Sequence, residues 1–124
     1  MPLVLIVDDD EKNRRLAADV LAAAGFETIA AATGTEGVSL AAERAPDVIL
    51  MDLRLPDMDG AEAARTLRAG EQTARIPVVA MSALSLEASG AWLEGAGFAG
   101  ALEKPIRVAT FPDQVRRFCV SETS

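Results

Sequence analysis

The chain has no histidine and only one cysteine, Cys119, and these two shortages exclude a good deal of chemistry. Without an imidazole there is no histidine general base, no histidine metal ligand and no phosphohistidine carried by the chain itself. A lone cysteine cannot close an internal disulfide, so a reducing cytoplasm is the expected setting. Basic tracts are missing too: 12 Lys and Arg stand against 19 Asp and Glu, a formal net charge of -7. Nucleic-acid phosphates are bound by clustered cations, so no nucleic-acid partner is expected. The longest apolar strings have the length of a strand, well short of the roughly 20 residues that span a bilayer. No basic segment precedes an apolar one at the start, so neither membrane insertion nor a signal peptide is expected.

What remains is an ordinary soluble composition, 50% apolar and 25% charged over 124 residues, enough for one domain with a real core. Short apolar runs alternate with segments of helical period, the pattern of a βα repeat around a parallel sheet. Strands are expected at Leu3–Val7, Phe26–Ala31, Val48–Met51, Val78–Met81 and Ala101–Glu103. Helices are expected at about Lys12–Ala24, stopped by Gly25, then 35–44, Ala61–Arg68 with Asp59 as N-cap, Leu86–Glu94, and Ala109–Val120. Gly90 weakens the fourth helix by about 1 kcal/mol relative to alanine. Pro112 is tolerated because it falls in the first turn of the last helix. Strict alternation of five strands and five helices leaves no room for a second domain, and Ser121–Ser124 should fray.

The polar residues that matter stand directly after the strands. Leu3–Val7 runs into Asp8, Asp9 and Asp10; Val48–Met51 into Asp52; Val78–Met81 into Ser82; and Ala101–Glu103 into Lys104 and Pro105. In an open parallel sheet the carboxyl ends of the strands form one rim, where ligands bind. Carboxylates, a hydroxyl and an ammonium far apart in sequence would therefore converge, a set suited to a divalent cation and a phosphoryl group. Asp52 at the end of a buried strand can attack phosphorus and form an acyl phosphate. Asp8 and Asp9 offer the hard oxygens that Mg²⁺ takes, one directly and one through water, while Asp10 fits as N-cap of the first helix. Unit charges about 5 Å apart interact by about 3 kcal/mol at an effective dielectric near 20, so such a pocket needs a cation. Lys104 offsets part of the repulsion, and Pro105 limits where that lysine can reach. Asp57 and Asp59 read as turn and cap residues, Trp92 as a partly buried helix residue and Cys119 as core-facing. Gly34 to Gly37 lacks the glycine and lysine pattern of nucleotide loops and reads as a helix start.

Taken together, Val4 to Asp10, Asp47 to Gly60, Pro77 to Ala83 and Lys104-Pro105, at these separations, make the whole chain resemble the receiver domain of bacterial two-component response regulators, the CheY-like family. The resemblance implies a flavodoxin-like (βα)5 three-layer sandwich with a parallel sheet of order 2-1-3-4-5. It implies that Asp52 accepts a phosphoryl group from the phosphohistidine of a sensor histidine kinase or histidine phosphotransferase. Asp8, Asp9, Asp52 and the backbone carbonyl of Arg54 would hold Mg²⁺, and Ser82 and Lys104 would contact the phosphoryl oxygens. Phosphoryl acceptance and slow autodephosphorylation would be the only chemistry, with Arg54 and Leu84 at positions that tune hydrolysis. The chain looks like a single-domain regulator, closer to those of cell-cycle kinases than to the chemotaxis protein, acting on a downstream protein target as a monomer or weak dimer.

One position departs from that pattern. Three residues before the lysine the family usually carries Tyr or Phe, and this chain has Ala101, whose methyl has no rotamer to switch. Phe98 is the candidate to fill the space and Gly90 the candidate to loosen the fourth helix. The alternative is an interaction module that works without phosphorylation. A phosphatase of the haloacid-dehalogenase type shares the strand-end Asp, a hydroxyl and a Lys. However, Lys12 stands where Thr or Val is usual there, no acidic pair follows Lys104, and no insertion caps a substrate.

Overall fold

The computed structural model describes residues 2–82, 97–104 and 106–119, apart from the side chains of Ser82 and Glu103. The helix expected near Leu86–Glu94, with Gly90 and Trp92, lies outside the described residues, as do Leu84 and the Ser121–Ser124 tail. Five parallel strands form one sheet, β1 (Leu3–Val7), β2 (Glu27–Ala31), β3 (Val48–Asp52), β4 (Val78–Ser82) and β5 (Gly100–Glu103), in the order β2-β1-β3-β4-β5. The described helices are α1 (Glu11–Ala23), α2 (Gly34–Arg44), α3 (Gly60–Ala69) and α4 (Phe111–Phe118). This is the flavodoxin-like fold that the resemblance implied.

Side chains alternate across the sheet with period two, and both faces are covered, so the central strands read as continuous apolar runs. Leu5, Val7, Ile49, Met51, Val78 and Ala80 point to one face, where Ala41 of α2 and Ala61, Ala64 and Leu67 of α3 close the core. Val4, Ile6, Val48, Leu50, Val79 and Met81 point to the other, against Ala17 and Leu21 of α1 and Phe111 and Val115 of α4. Burying each large aliphatic side chain stabilises the fold by roughly 1.5–3 kcal/mol. The register pairs Leu5 with Ile49 and Ile49 with Val78, which brings the ends of β1, β3 and β4 level.

Helix boundaries follow their caps. Asp10 Oδ1 accepts from the amides of Lys12 and Asn13, and Asp59 Oδ1 from that of Glu62, so both residues cap as expected. Helix α4 is shorter than the expected Ala109–Val120. Thr110, its N-cap, makes no side-chain capping bond, and Cys119 is already extended. Pro112 sits in its first turn, where no amide proton is required. Strand β2 begins at Glu27 rather than Phe26, because the Phe26 amide still bonds back to Leu21 O at the end of α1.

Candidate functional site

Three of the strand ends deliver charged side chains to one place. The rim of β1 continues into Asp8, β3 ends in Asp52, and Lys104 directly follows β5. Lys104 Nζ lies 3.1 Å from Asp8 Oδ2 and 3.1 Å from Asp52 Oδ2. Both carboxylates are buried, which is unusual for aspartate and costly without partners. Each uses its second oxygen locally: Asp8 Oδ1 accepts from the Asp10 amide at 2.9 Å, and Asp52 Oδ1 from the Arg54 amide at 3.2 Å. Ser82 ends β4 beside this rim, paired in register with Glu103, and its side chain lies outside the described atoms.

Burial sets the electrostatics. Desolvation pushes the Asp52 carboxyl above the ordinary carboxylate range, against the Arg54 amide and the Lys104 ammonium, which pull it down. Burial works to lower Lys104 as well, but bonding to Asp52, and then to Asp8, carries it above its usual value. Both values rise, with opposite effects on charge: burial disfavours the Asp52 carboxylate, which shares its cation with Asp8, while the ammonium of Lys104 is favoured because it gains from both carboxylates. On the α1 side the pocket has an apolar floor, a cavity of about 40 Å³ lined by Ile6, Leu16, Leu50, Met81 and Ile106. That floor sharpens both the desolvation and the attraction.

A divalent cation fits the donor set. One oxygen from each of Asp8, Asp9 and Asp52 lies within 4.8 Å of the others, with Asp9 exposed and the other two buried. Opposite ligands on Mg²⁺ are about 4.2 Å apart, given bonds near 2.1 Å, so small side-chain shifts would close the site. The donors are all hard oxygens, and Mg²⁺ characteristically takes one or two carboxylates and keeps several waters. Arg54, whose backbone carbonyl was expected to join them, follows β3 in a loop closed by a bridge to Asp59.

The sequence reading missed two residues here. Arg14 sends Nη1 to the backbone carbonyl of Asp8 at 2.7 Å, steadying the strand end from α1. Asp57, read as a turn residue, reaches α2 and bonds Gly34 and Thr35. Its partners lie more than 20 residues away, where no local pattern points to them.

A doubly wound parallel sheet whose carboxyl rim gathers an acidic cluster and one shared lysine places the chain among the α/β proteins that bind ligands at that edge. Residues 4–116 match the response regulator receiver domain, and the chain belongs to that family of two-component signalling modules. It is 36% identical over 115 residues to the polar-differentiation response regulator DivK of Brucella ovis, covering 93% of this chain and 94% of that protein. Its structure is similar to that of the Vibrio cholerae chemotaxis protein CheY4, with a TM-score of 0.89 and 29% identity over 95% of this chain and 98% of that one. It is also similar to the receiver domain of a Pseudomonas aeruginosa sensor histidine kinase (TM-score 0.85, 32% identity, 94% and 96% covered), whose active-site cleft coordinates a magnesium ion.

Proposed function

We propose that this chain is a phosphorylation-controlled protein switch or relay member in a two-component pathway, with Asp52 taking the phosphoryl group from the phosphohistidine of a sensor kinase or histidine phosphotransferase. The observation that carries this reading is Lys104 held 3.1 Å from both buried carboxylates, Asp8 and Asp52. An ammonium so placed can release one carboxylate oxygen and take a phosphoryl oxygen in its place, as a compact point charge does well. In the transfer, a carboxylate oxygen of Asp52 attacks phosphorus. The O–P bond forms as the P–N bond breaks, and the imidazole leaves with the partner. Asp8, Asp9, Asp52 and the Arg54 carbonyl would hold Mg²⁺, which supplies positive charge to the phosphoryl oxygens when bound. Ser82 would donate its hydroxyl to a further oxygen. Burial of Asp52 limits the approach of water, in keeping with slow loss of the phosphoryl group.

The phosphoryl group would then favour one of two conformations and expose a face for a downstream protein. The likeness to DivK over 94% of that protein's length supports a response regulator of similar extent, with polar differentiation as the process it would serve. Ala101 favours a second reading: half-buried against the core that contains Phe98, it has no ring to reorient. Partner binding would then not depend on phosphate, and Asp52→Ala would bind the partner as tightly as wild type.

Intact mass after incubation with acetyl phosphate tests the first reading. Wild type should gain the mass of one phosphoryl group only with Mg²⁺, and Asp52→Asn should gain none. A gain that survives in Asp52→Asn would remove Asp52 from its role.

A further inference from the structure

The loop from Leu53 to Asp59 leaves β3 directly after Asp52 and carries Arg54. Its base is pinned: the Gly60 amide donates to Leu53 O at 2.9 Å, and Arg54 and Asp59 form an antiparallel bridge. Gly60 permits this closeness, since a Cβ there would lie 2.6 Å from Asp52 O and 2.9 Å from Leu53 Cα. The tip is pinned as well, to a different element. Asp57 Oδ1 accepts from the Gly34 amide at 2.8 Å, and Oδ2 from the Thr35 amide at 2.9 Å and the Thr35 hydroxyl at 2.6 Å. Met58 lies so close to Gly34 that a Cβ there would fall 2.5 Å from its Cγ.

Helix α2 has a cap of its own without this contact. Thr33 Oγ1 accepts from the Glu36 amide at 3.1 Å, and Glu36 Oε1 accepts from the Ala32 amide at 3.0 Å, a reciprocal pair close to a capping box. Of the two remaining amides, that of Thr35 is at an exposed residue where water could serve it, while Gly34 is buried with Met58 and Asp57 of the loop against it. The contact therefore does more for the loop than for the helix. Arg54 stands at the base of the same short loop whose tip is held at α2, and a backbone carbonyl has no rotamer with which to seek a cation. Where the loop goes, the carbonyl goes.

We propose that Asp57 is a positioning residue for the cation site, latching the loop to the start of α2 so that the Arg54 carbonyl is held at the rim. The inference rests on the reading of the Arg54 carbonyl as a cation ligand. Partners that orient metal ligands are commonly worth 10- to 100-fold in metal affinity, and preorganised sites lose affinity when their support is left loose. Linkage is reciprocal, so a bound cation tightens the latch in return.

The test uses Mg²⁺ itself as the probe. Calorimetric titration should show affinity weakened about 10-fold in Asp57→Ala, and less in Asp57→Asn, which keeps one acceptor oxygen. Amide exchange at Gly34 and Thr35 should slow on Mg²⁺ addition in wild type and not in Asp57→Asn. Wild-type affinity in a folded Asp57→Ala overturns the proposal. If that variant does not fold, unchanged affinity and exchange response in Asp57→Asn overturn it equally. A purely structural role would lower the Mg²⁺-free melting temperature and leave the exchange response intact, which also counts against the proposal. Wild type that binds no Mg²⁺ at all removes the cation site, and the underlying reading falls with it.

Discussion

At Asp52 burial and charge pull in opposite directions, and the residue shows which forces the sequence discloses. That a carboxylate stands at the end of an apolar strand is visible in Val48–Asp52 itself; that it shares one ammonium with Asp8 depends on the fold. Removing its charge in Mg²⁺-free buffer should stabilise the protein, since Asn keeps an acceptor for the Arg54 amide and leaves Lys104 to Asp8. We expect Asp52→Asn to gain about 1 kcal/mol in urea unfolding. Asp9 is exposed, so solvent screens its repulsion and Asp9→Asn should gain less. A loss of about 1 kcal/mol in Asp52→Asn would mean that its pairing outweighs its desolvation. Asp57 titrates the other way. The Thr35 hydroxyl, then the Thr35 and Gly34 amides, hold its carboxyl down at about 2, against 3.8 for a free aspartate. As pH falls through this window the unfolded chain takes up the proton first, so the contribution is complete above about pH 4 and lost on approaching about pH 2. Unfolding midpoints across that range should fall less steeply in Asp57→Asn than in wild type.

Elements were legible where local chemistry decides them and less so where tertiary contacts do. Asp10 and Asp59 were readable as caps because their donors lie two or three residues on. The end of α4 was not readable, because its helical period continues past the point where Cys119 becomes extended. Helix α2 ends on Ala45, which adopts a left-handed φ of 48° where glycine would be at ease. A side chain there costs roughly 1–2 kcal/mol, partly offset by the greater freedom of glycine in the unfolded chain. Ala45 is exposed, so Ala45→Gly should disturb no packing and should stabilise by about 0.5–1 kcal/mol, read from the urea midpoint. A destabilisation would show that the helix end relaxes without strain.

Across the whole molecule, a parallel sheet follows from the alternation of runs and the two cores from alternation within each run, whereas the strand order came only with the resemblance to receiver domains. The architecture was therefore present in the pattern of apolar residues, and the candidate site in the polar residues that terminate the strands. The latch from Asp57 to α2 was absent from that pattern, because it joins a loop to a helix start through groups that are each ordinary in their own surroundings.

The shared lysine has a consequence for when the pocket exists. Asp8, Asp52 and Lys104 stand at the ends of the first, third and fifth strands, so an unfolded chain keeps only the neighbours Asp8 and Asp9 together and not the assembled site. A cation seated there is then a ligand of the native state alone, and mass action converts its concentration into stability. At about 100 times its dissociation constant it would add about 2.7 kcal/mol. Melting temperature should rise with Mg²⁺ concentration in wild type and flatten when a carboxylate of the cluster is lost, as in Asp9→Asn. On the proposed reading, the ion that would assist phosphoryl transfer would thus also shift the folding equilibrium, and scarce magnesium would lower the folded fraction together with the reactivity.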